Sequence, residues 1–436
     1  MFKRLLYSNG KGSIFALSTP LATSAIAITR VSGPLANKLF PLSKPNYAKL
    51  TTLKDETGMV IDTAIVTYFK APHSYTGEDV IEIATHGSLA VIKKLHDFIH
   101  KQGCRYADKG EFTYRALLNS KMSTEEIEKL DLLIHSETEL QRKMALCGSA
   151  LPLVQEWKQQ LTSILAENDA YIEFEEDGIV SQDLSKLDSI IKEMESVLKD
   201  SKSHNKLKEG IKVTVCGCPN AGKSSLINLL CQEEISIVSD IKGTTRDVIR
   251  QFINFNHYPL TFIDTAGLWD TSDAIEQAGI TKAYQIIKNS DILLFIVDPS
   301  QPLEHQYHLY NQISSYTNCI ITIINKCDKS SILPHFHKDQ IVMSCTSLKG
   351  LDTVKSTLLH QLQLSVTFNN NISLPSRFNG PLTKLIHLLK QAQLEQDSCI
   401  QTHYIEQSLQ LFDDFGEPVN IEQVLDTLFK NFCIGK

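Results

Sequence analysis

The octapeptide Gly217-Cys218-Pro219-Asn220-Ala221-Gly222-Lys223-Ser224 constrains the fold of this chain more than any other feature. It follows an apolar run that reads as a strand ending at Cys216. It precedes residues 225–230, which read as a helix. Glycines, a lysine and a hydroxyl at these spacings make a strand–loop–helix turn whose backbone N–H groups can cradle phosphates. On that reading Asn220, Ala221, Gly222 and Ser225 belong to the loop, and Lys223 reaches the β and γ oxygens. The Ser224 hydroxyl can bind Mg2+. Such a turn requires a parallel sheet behind it. Short apolar runs at 211–216, 260–263, 292–297, 320–324 and 341–343 alternate with helical stretches, as a sheet covered on both faces demands.

Further strings occur in the order a guanine-nucleotide site needs. Asp264-Thr265-Ala266-Gly267 follows a strand, so Asp264 can hold Mg2+ through water and the Gly267 N–H can meet a γ-phosphate. Asn325-Lys326-Cys327-Asp328 ends a later strand. The Asp328 carboxylate can accept from the guanine N1–H and amine, a donor pair that adenine lacks. Ser344-Cys345-Thr346 can meet the guanine carbonyl with backbone N–H groups. The stretch Ser239-Asp240-Ile241-Lys242-Gly243-Thr244-Thr245 lies where a switch loop supplies a second Mg2+ hydroxyl, here Thr245. After Gly267, where a water-orienting glutamine sits in many such enzymes, stands Leu268, which cannot orient water.

Composition narrows the partners. With 43 basic and 50 acidic residues in 436, the net charge of −7 gives no global attraction to nucleic acid or anionic lipid, so RNA binding needs a local patch or a partner. Ten scattered cysteines without a C-x-x-C pair read as reduced core thiols, which fits a cytoplasmic compartment. Cys399 and His403, four apart, are too few for a metal site. The apolar runs are too short to span a membrane, and residues 1–6 lack the apolar stretch of a secretory signal.

Four zones emerge. Residues 1–119 read as α+β, with strands at 13–17, 24–31, 62–69 and 79–84 and a helix carrying Val91, Leu95, Phe98 and Ile99 on one face. Residues 120–209 are helical, with apolar stripes Trp157, Leu161, Ile164, Leu165 and Leu187, Ile190, Ile191, Met194, Val197, Leu198. Residues 210–367 hold the nucleotide motifs. Residues 368–436 are helical again, through Leu382, Leu385, Ile386, Leu389 and then Val424, Leu425, Leu428, Phe429, Phe432. The expected fold is therefore α/β, α and α+β in one multidomain chain, the α/β domain inserted into a helical one.

Strings outside the α/β zone carry a family resemblance. They are Ile28-Thr29-Arg30 with Ser32-Gly33, Ser74-Tyr75-Thr76-Gly77-Glu78-Asp79-Val80-Ile81-Glu82, His86-Gly87, Gly110-Glu111-Phe112, Arg115-Ala116-Leu117-Leu118-Asn119-Ser120-Lys121 and the terminal Phe432-Cys433-Ile434-Gly435-Lys436. With the motifs above, they resemble the MnmE (TrmE) family of tRNA wobble-uridine modification GTPases from about residue 13 to the end. The resemblance implies an N-terminal folate-binding and dimerisation domain and a GTPase inserted into the helical domain. It also implies a homodimer, an FAD-containing partner, MnmG, in a heterotetramer or larger assembly, and tRNA as substrate. The product is an aminomethyl or carboxymethylaminomethyl group on C5 of uridine 34. Its one-carbon unit comes from methylene-tetrahydrofolate.

Carried over by residue, Arg30, Glu82, Lys121 and Lys436 match the family's formyl-tetrahydrofolate contacts. Asn220, Ser239, Ile241 and Thr244 match its K+ ligands, and Glu276 its water-positioning carboxylate. Lys223 and Thr245 complete the catalytic set. A competing reading is a GTP-timed RNA or ribosome assembly factor. Those proteins carry an RNA-binding module after the GTPase, whereas the tail here has acidic Glu406, Asp413, Asp414 and Glu417 and no basic Gly-x-x-Gly loop.

Overall fold

The computed structural model describes residues 12–174, 185–232, 250–264, 284–317, 319–329, 334–366, 372–415 and 435. The chain forms two compact units, Met1–Asp131 with Gly416–Lys436, and Leu132–Phe415.

The first unit is built on a six-stranded sheet in the order β3-β4-β5-β2-β1-β6. Its strands are β1 (Ile14–Leu17), β2 (Ser24–Ser32), β3 (Ala48–Lys54), β4 (Val60–Phe69), β5 (Val80–Gly87) and β6 (Arg105–Tyr106). Neighbours are antiparallel except β1 and β6. Alternation decides which side is buried: Val31, Ile81, Ile83, Ala64 and Val66 point to one face and join Leu95 and Ile99 in a common core. Leu95 and Ile99 belong to α2 (Leu89–Lys101), which follows the short α1 (Ala36–Leu39); α3 (Glu111–Leu118) and α4 (Thr124–Ile134) come next. In α2 the expected Leu95, Phe98 and Ile99 are buried together with Ile92, and the expected Val91 is half-buried.

The second unit has its own six-stranded sheet, in the order β13-β12-β11-β8-β10-β9. These are β8 (Ile211–Gly217), β9 (Arg250–Phe255), β10 (Tyr258–Asp264), β11 (Ile292–Val297), β12 (Ile320–Ile324) and β13 (Ile341–Val342). All run parallel except the edge strand β9, which pairs with β10 as a hairpin. β11 is buried at every position, as a strand covered on both faces should be. Helices α8 (Lys223–Gln232), α9 (Leu303–Ser314) and α10 (Leu351–Ser365) belong to this part.

In the same unit, α5 (Glu139–Ala145) and the two-residue β7 (Gly148–Ser149) lead into α6 (Leu151–Phe174) and α7 (Ser185–Glu209). β14 (Ile372–Ser373) precedes α11 (Asn379–Leu394) and α12 (Ser398–Gln410). One hydrophobic core takes Trp157, Leu161, Leu187 and Met194 from the earlier helices and Leu382, Leu385, Leu389 and Ile405 from the later ones. β14 pairs with β7. Two distant chain segments thus contribute to one hydrophobic core, with the residues of the sheet between them in sequence.

Residues 120–131 and 416–436 group with the first unit. Ile127, fully buried, ties the start of α4 down. At the other end, Ser18 Oγ donates to the Gly435 carbonyl at 3.1 Å. The expected apolar positions from Val424 to Phe432 lie outside the described residues.

Candidate active site

The phosphate loop leaves the C-terminal end of β8, a central strand, where ligands of open parallel sheets collect. Gly217 (φ +147°), Asn220 (φ +60°) and Gly222 (φ +101°) take positive φ, which folds the loop back on itself. A Cβ at Gly217 would lie 2.2 Å from the Ile296 carbonyl oxygen of the adjacent strand, and one at Gly222 would lie 2.2 Å from Asn325 Nδ2. Both glycines are therefore required by close approach as well as by torsion.

Lys223 opens α8 and is buried, yet its ammonium is satisfied: Nζ donates to the carbonyls of Gly217 at 2.9 Å and Cys218 at 2.8 Å. The cation is thereby parked over the loop that an anion would fill. Ser224 Oγ donates to Asp264 Oδ2 at 2.9 Å. Both residues line a cavity of about 200 Å³ with Ile227, Asn228, Gln251 and Phe262. A hydroxyl and a carboxylate side by side at a helix N-terminus are hard oxygen donors and suit Mg2+.

Asn325, buried at the end of β12, braces two loops. Its Nδ2 donates to the Ala221 carbonyl at 2.8 Å, and its Oδ1 accepts from Cys345 N–H at 3.1 Å. Asp328 is exposed, and the hydrogen bond from the Ser344 side chain holds its carboxyl below the ordinary carboxylate range. It is an anion awaiting donors. Lys326 (φ +59°) turns its ammonium onto Asp298 Oδ2, 2.6 Å away. Asp298, wholly buried just after β11, escaped the sequence reading. The available signal was its position, the first residue beyond the apolar run 292–297.

Burial alone would raise the Asp298 pKa. The bonds from Lys326 and Ser300 outweigh burial and keep it low. Burial pushes the thiols of Cys218 and Cys345 up, so neither is activated as a nucleophile. Thr346 is exposed beside them, and Cys327 N–H donates to the Met343 carbonyl at 3.2 Å. Ser225 is exposed on the first turn of α8. The structure thus brings Asn220, Ala221, Gly222, Lys223, Ser224, Asp264, Asn325, Lys326, Asp328, Ser344 and Cys345 to one end of one sheet. Ser239, Asp240, Ile241, Lys242, Gly243, Thr244, Thr245, Thr265, Ala266, Gly267, Glu276 and Lys436 lie outside the described residues.

In the first unit Arg30 and Glu82 face each other across β2 and β5. Arg30 Nε and Nη2 both donate to Glu82 Oε1, at 2.9 and 2.7 Å. The guanidinium lies 5.1 Å from the Tyr75 ring centre and 5.8 Å from that of Phe112. Lys121 is exposed and packs its stem against Gly77. Arg30 also pairs with Ala16 of β1, and the next residue, Leu17, meets Gly435. The chain end and the Arg30–Glu82 pair are brought into the same unit.

A phosphate loop, a carboxylate set to read guanine and a parallel sheet carrying both define a P-loop GTPase. Family models agree with each unit: residues 13–121 match the N-terminus of the GTP-binding protein TrmE, and residues 212–326 match a 50S ribosome-binding GTPase. Full-length relatives include the tRNA modification GTPases MnmE of Aquifex aeolicus (34% identical, 97% of this chain and 99% of that one), Ehrlichia chaffeensis (34%, 97% and 100%) and Orientia tsutsugamushi (35%, 97% and 99%). The chain belongs to this family, the MnmE tRNA modification GTPases.

Proposed function

We propose that this GTPase acts in the cytoplasm as a K+- and Mg2+-dependent GTP hydrolase. With MnmG it installs an aminomethyl or carboxymethylaminomethyl group on C5 of wobble uridine 34 of tRNAs, drawing the one-carbon unit from a tetrahydrofolate. The observation that carries this reading is the gathering of Lys223, Ser224 and Asp264 at one strand end in a chain similar to MnmE proteins over 97% of its length.

On this reading Lys223 leaves the Gly217 and Cys218 carbonyls for the β and γ oxygens of GTP, and the loop N–H groups take the rest. Ser224 and Thr245 hold Mg2+, with Asp264 behind; the metal supplies positive charge to the phosphates when bound. Asn220, Ser239, Ile241 and Thr244 would hold K+, which would supply a further positive charge to the phosphates. Asp328 reads the guanine edge while Ser344, Cys345 and Thr346 close over it. Glu276 orients the attacking water, since Leu268 cannot.

Arg30, Glu82, Lys121 and Lys436 form the folate site. A carboxylate suits the amidine-like pterin edge, cations suit the glutamate tail, and the half-buried Tyr75 ring lies beside Arg30. The homodimer forms through the first unit. Support comes from its open sheet face, where Leu50, Ile65, Ala84 and Ile28 align across four strands, with Leu50 70% and Ile65 48% exposed. The GTPase domain, about 210–367, is inserted between helical segments that begin near 120 and 368.

Mass analysis of tRNA nucleosides from a deletion strain, with and without the restored gene, tests the reading. The expected result is loss of C5 aminomethyl-type derivatives of uridine 34 and their return on complementation. Unchanged nucleosides together with accumulated ribosomal precursors would favour an assembly factor instead.

A further inference from the structure

The segment from Asp298 to Gln306, which runs from the end of β11 into the first turn of α9, is bonded to both halves of the nucleotide cleft. On one side Lys326 Nζ donates to Asp298 Oδ2 at 2.6 Å. On the other, Gln301 Nε2 donates to the Pro219 carbonyl of the phosphate loop at 2.9 Å. Asp298 has no freedom to follow the lysine elsewhere. Its Oδ1 accepts from Ser300 N–H at 3.0 Å and Ser300 Oγ at 2.6 Å. Its backbone N–H and carbonyl are both bonded to the Gln306 side chain, at 3.0 and 2.9 Å. A fully buried carboxylate fixed on both oxygens is a rigid anchor for a half-exposed cation on a flexible four-carbon stem.

Lys326 stands between Asn325, which braces the phosphate loop, and Asp328, whose carboxylate faces outward. Its own backbone is in the left-handed region, which aims the side chain back toward β11. With its backbone set between Asn325 and Asp328 and its ammonium pinned on Asp298, the apolar stem of Lys326 is fixed at both ends. A stem held in this way presents a flat apolar surface without the entropy cost of ordering it on binding.

We propose that Asp298 is a positioning residue for the guanine nucleotide: by pinning Lys326, with Gln301 tying the same segment to the phosphate loop, it presets the cleft that binds the base. The role rests on the guanine-nucleotide reading of this cleft. It predicts a loss of affinity that ignores the exocyclic amine of the base, because a stacked stem reads only the ring face.

The experiment titrates GDP and IDP against full-length wild type, Asp298→Asn, Asp298→Ala, Lys326→Ala and the Asp298→Ala/Lys326→Ala double variant, with turnover at saturating GTP alongside. Asp298→Ala should weaken both nucleotides about tenfold or more, leaving the GDP-to-IDP ratio as in wild type. The nearly isosteric Asp298→Asn, which keeps the shape and loses the charge, should fall between. Maximal turnover should stay within about threefold of wild type, as for a loss of uniform binding. The double variant should bind no worse than Lys326→Ala alone, because Asp298 acts through that side chain. Additive losses in the double variant, or wild-type affinity in a folded Asp298→Asn, would overturn the inference. Absence of GDP binding by the wild type would overturn the guanine-nucleotide reading and the inference together.

Discussion

Asp328 and Asn325 sit three residues apart in one motif and act in different ways. Asn325 is buried and spends both ends of its amide on backbone, joining Ala221 to Cys345. Asp328 is exposed and held as an anion by Ser344. The motif's spacing puts both at one strand end, and on the proposed reading the exposed Asp328 carboxylate selects the base. Asp328→Asn should therefore weaken GTP binding about a hundredfold, since two charge-assisted bonds are lost. The same variant should prefer xanthosine triphosphate, whose ring carries an oxygen where the amide now presents a donor. Competitive titration of the two nucleotides checks this; an unchanged preference would place the base elsewhere. Gly222 marks the opposite case, a residue chosen for what it lacks. Any side chain there would meet Asn325 Nδ2, so the brace and the phosphate loop depend on each other.

At the level of elements, what was legible was what periodicity records. The strands β8, β11 and β12 are continuous apolar runs, and the helices α7 and α11 carry stripes at three- and four-residue steps. Strand β3 was not seen, because Ala48–Lys54 is an edge whose side chains are mostly exposed and do not alternate. β9 was missed beside it in kind, an antiparallel edge on an otherwise parallel sheet. The strings Gly110-Glu111-Phe112 and Arg115, which carried the family resemblance, turn out to anchor α3. Glu111 is buried and pairs with Arg105 of β6 and, at 3.0 Å, with Arg115. Arg115 in turn reaches Glu78 and the Gly12 carbonyl.

Burial alone would raise the Glu111 pKa, but Arg105, the Asp108 N–H and Arg115 hold it below its ordinary 4.5. A folded-state pKa below the unfolded one contributes stability above pH 4.5, and this is lost as the pH falls below that value. Glu111→Gln should cost about 3 kcal/mol at neutral pH, the range for breaking one side of a buried pair. Thermal unfolding from pH 7 to pH 3 should show the gap between wild type and variant narrowing below pH 4.5. A gap independent of pH would mean that packing, not charge, holds α3.

At the scale of the whole molecule, the sequence puts Leu268 where a water-orienting glutamine stands in many such enzymes. Asn220, in the phosphate loop, is exposed and in the left-handed conformation. The two helical segments share one core, and the sheet of the first unit leaves Leu50 and Ile65 exposed. On the proposed reading, two GTPase domains pair to complete the active site. A K+ ion held by Asn220 and the 239–244 loop, and a carboxylate from Glu276, would then supply what each domain lacks alone. Turnover should accordingly need K+: Na+ is too small to span the same oxygens, so exchange of KCl for NaCl at equal ionic strength should nearly abolish it. Glu276→Ala should lower single-turnover hydrolysis in KCl by about a hundredfold, the scale of general-base positioning. Affinity for GTP should hardly move, because no nucleotide ligand is removed. Equal rates in the two salts would sink the potassium role. Wild-type hydrolysis by Glu276→Ala would leave water to be oriented by another residue, and a large loss of affinity would make Glu276 a structural part of the cleft.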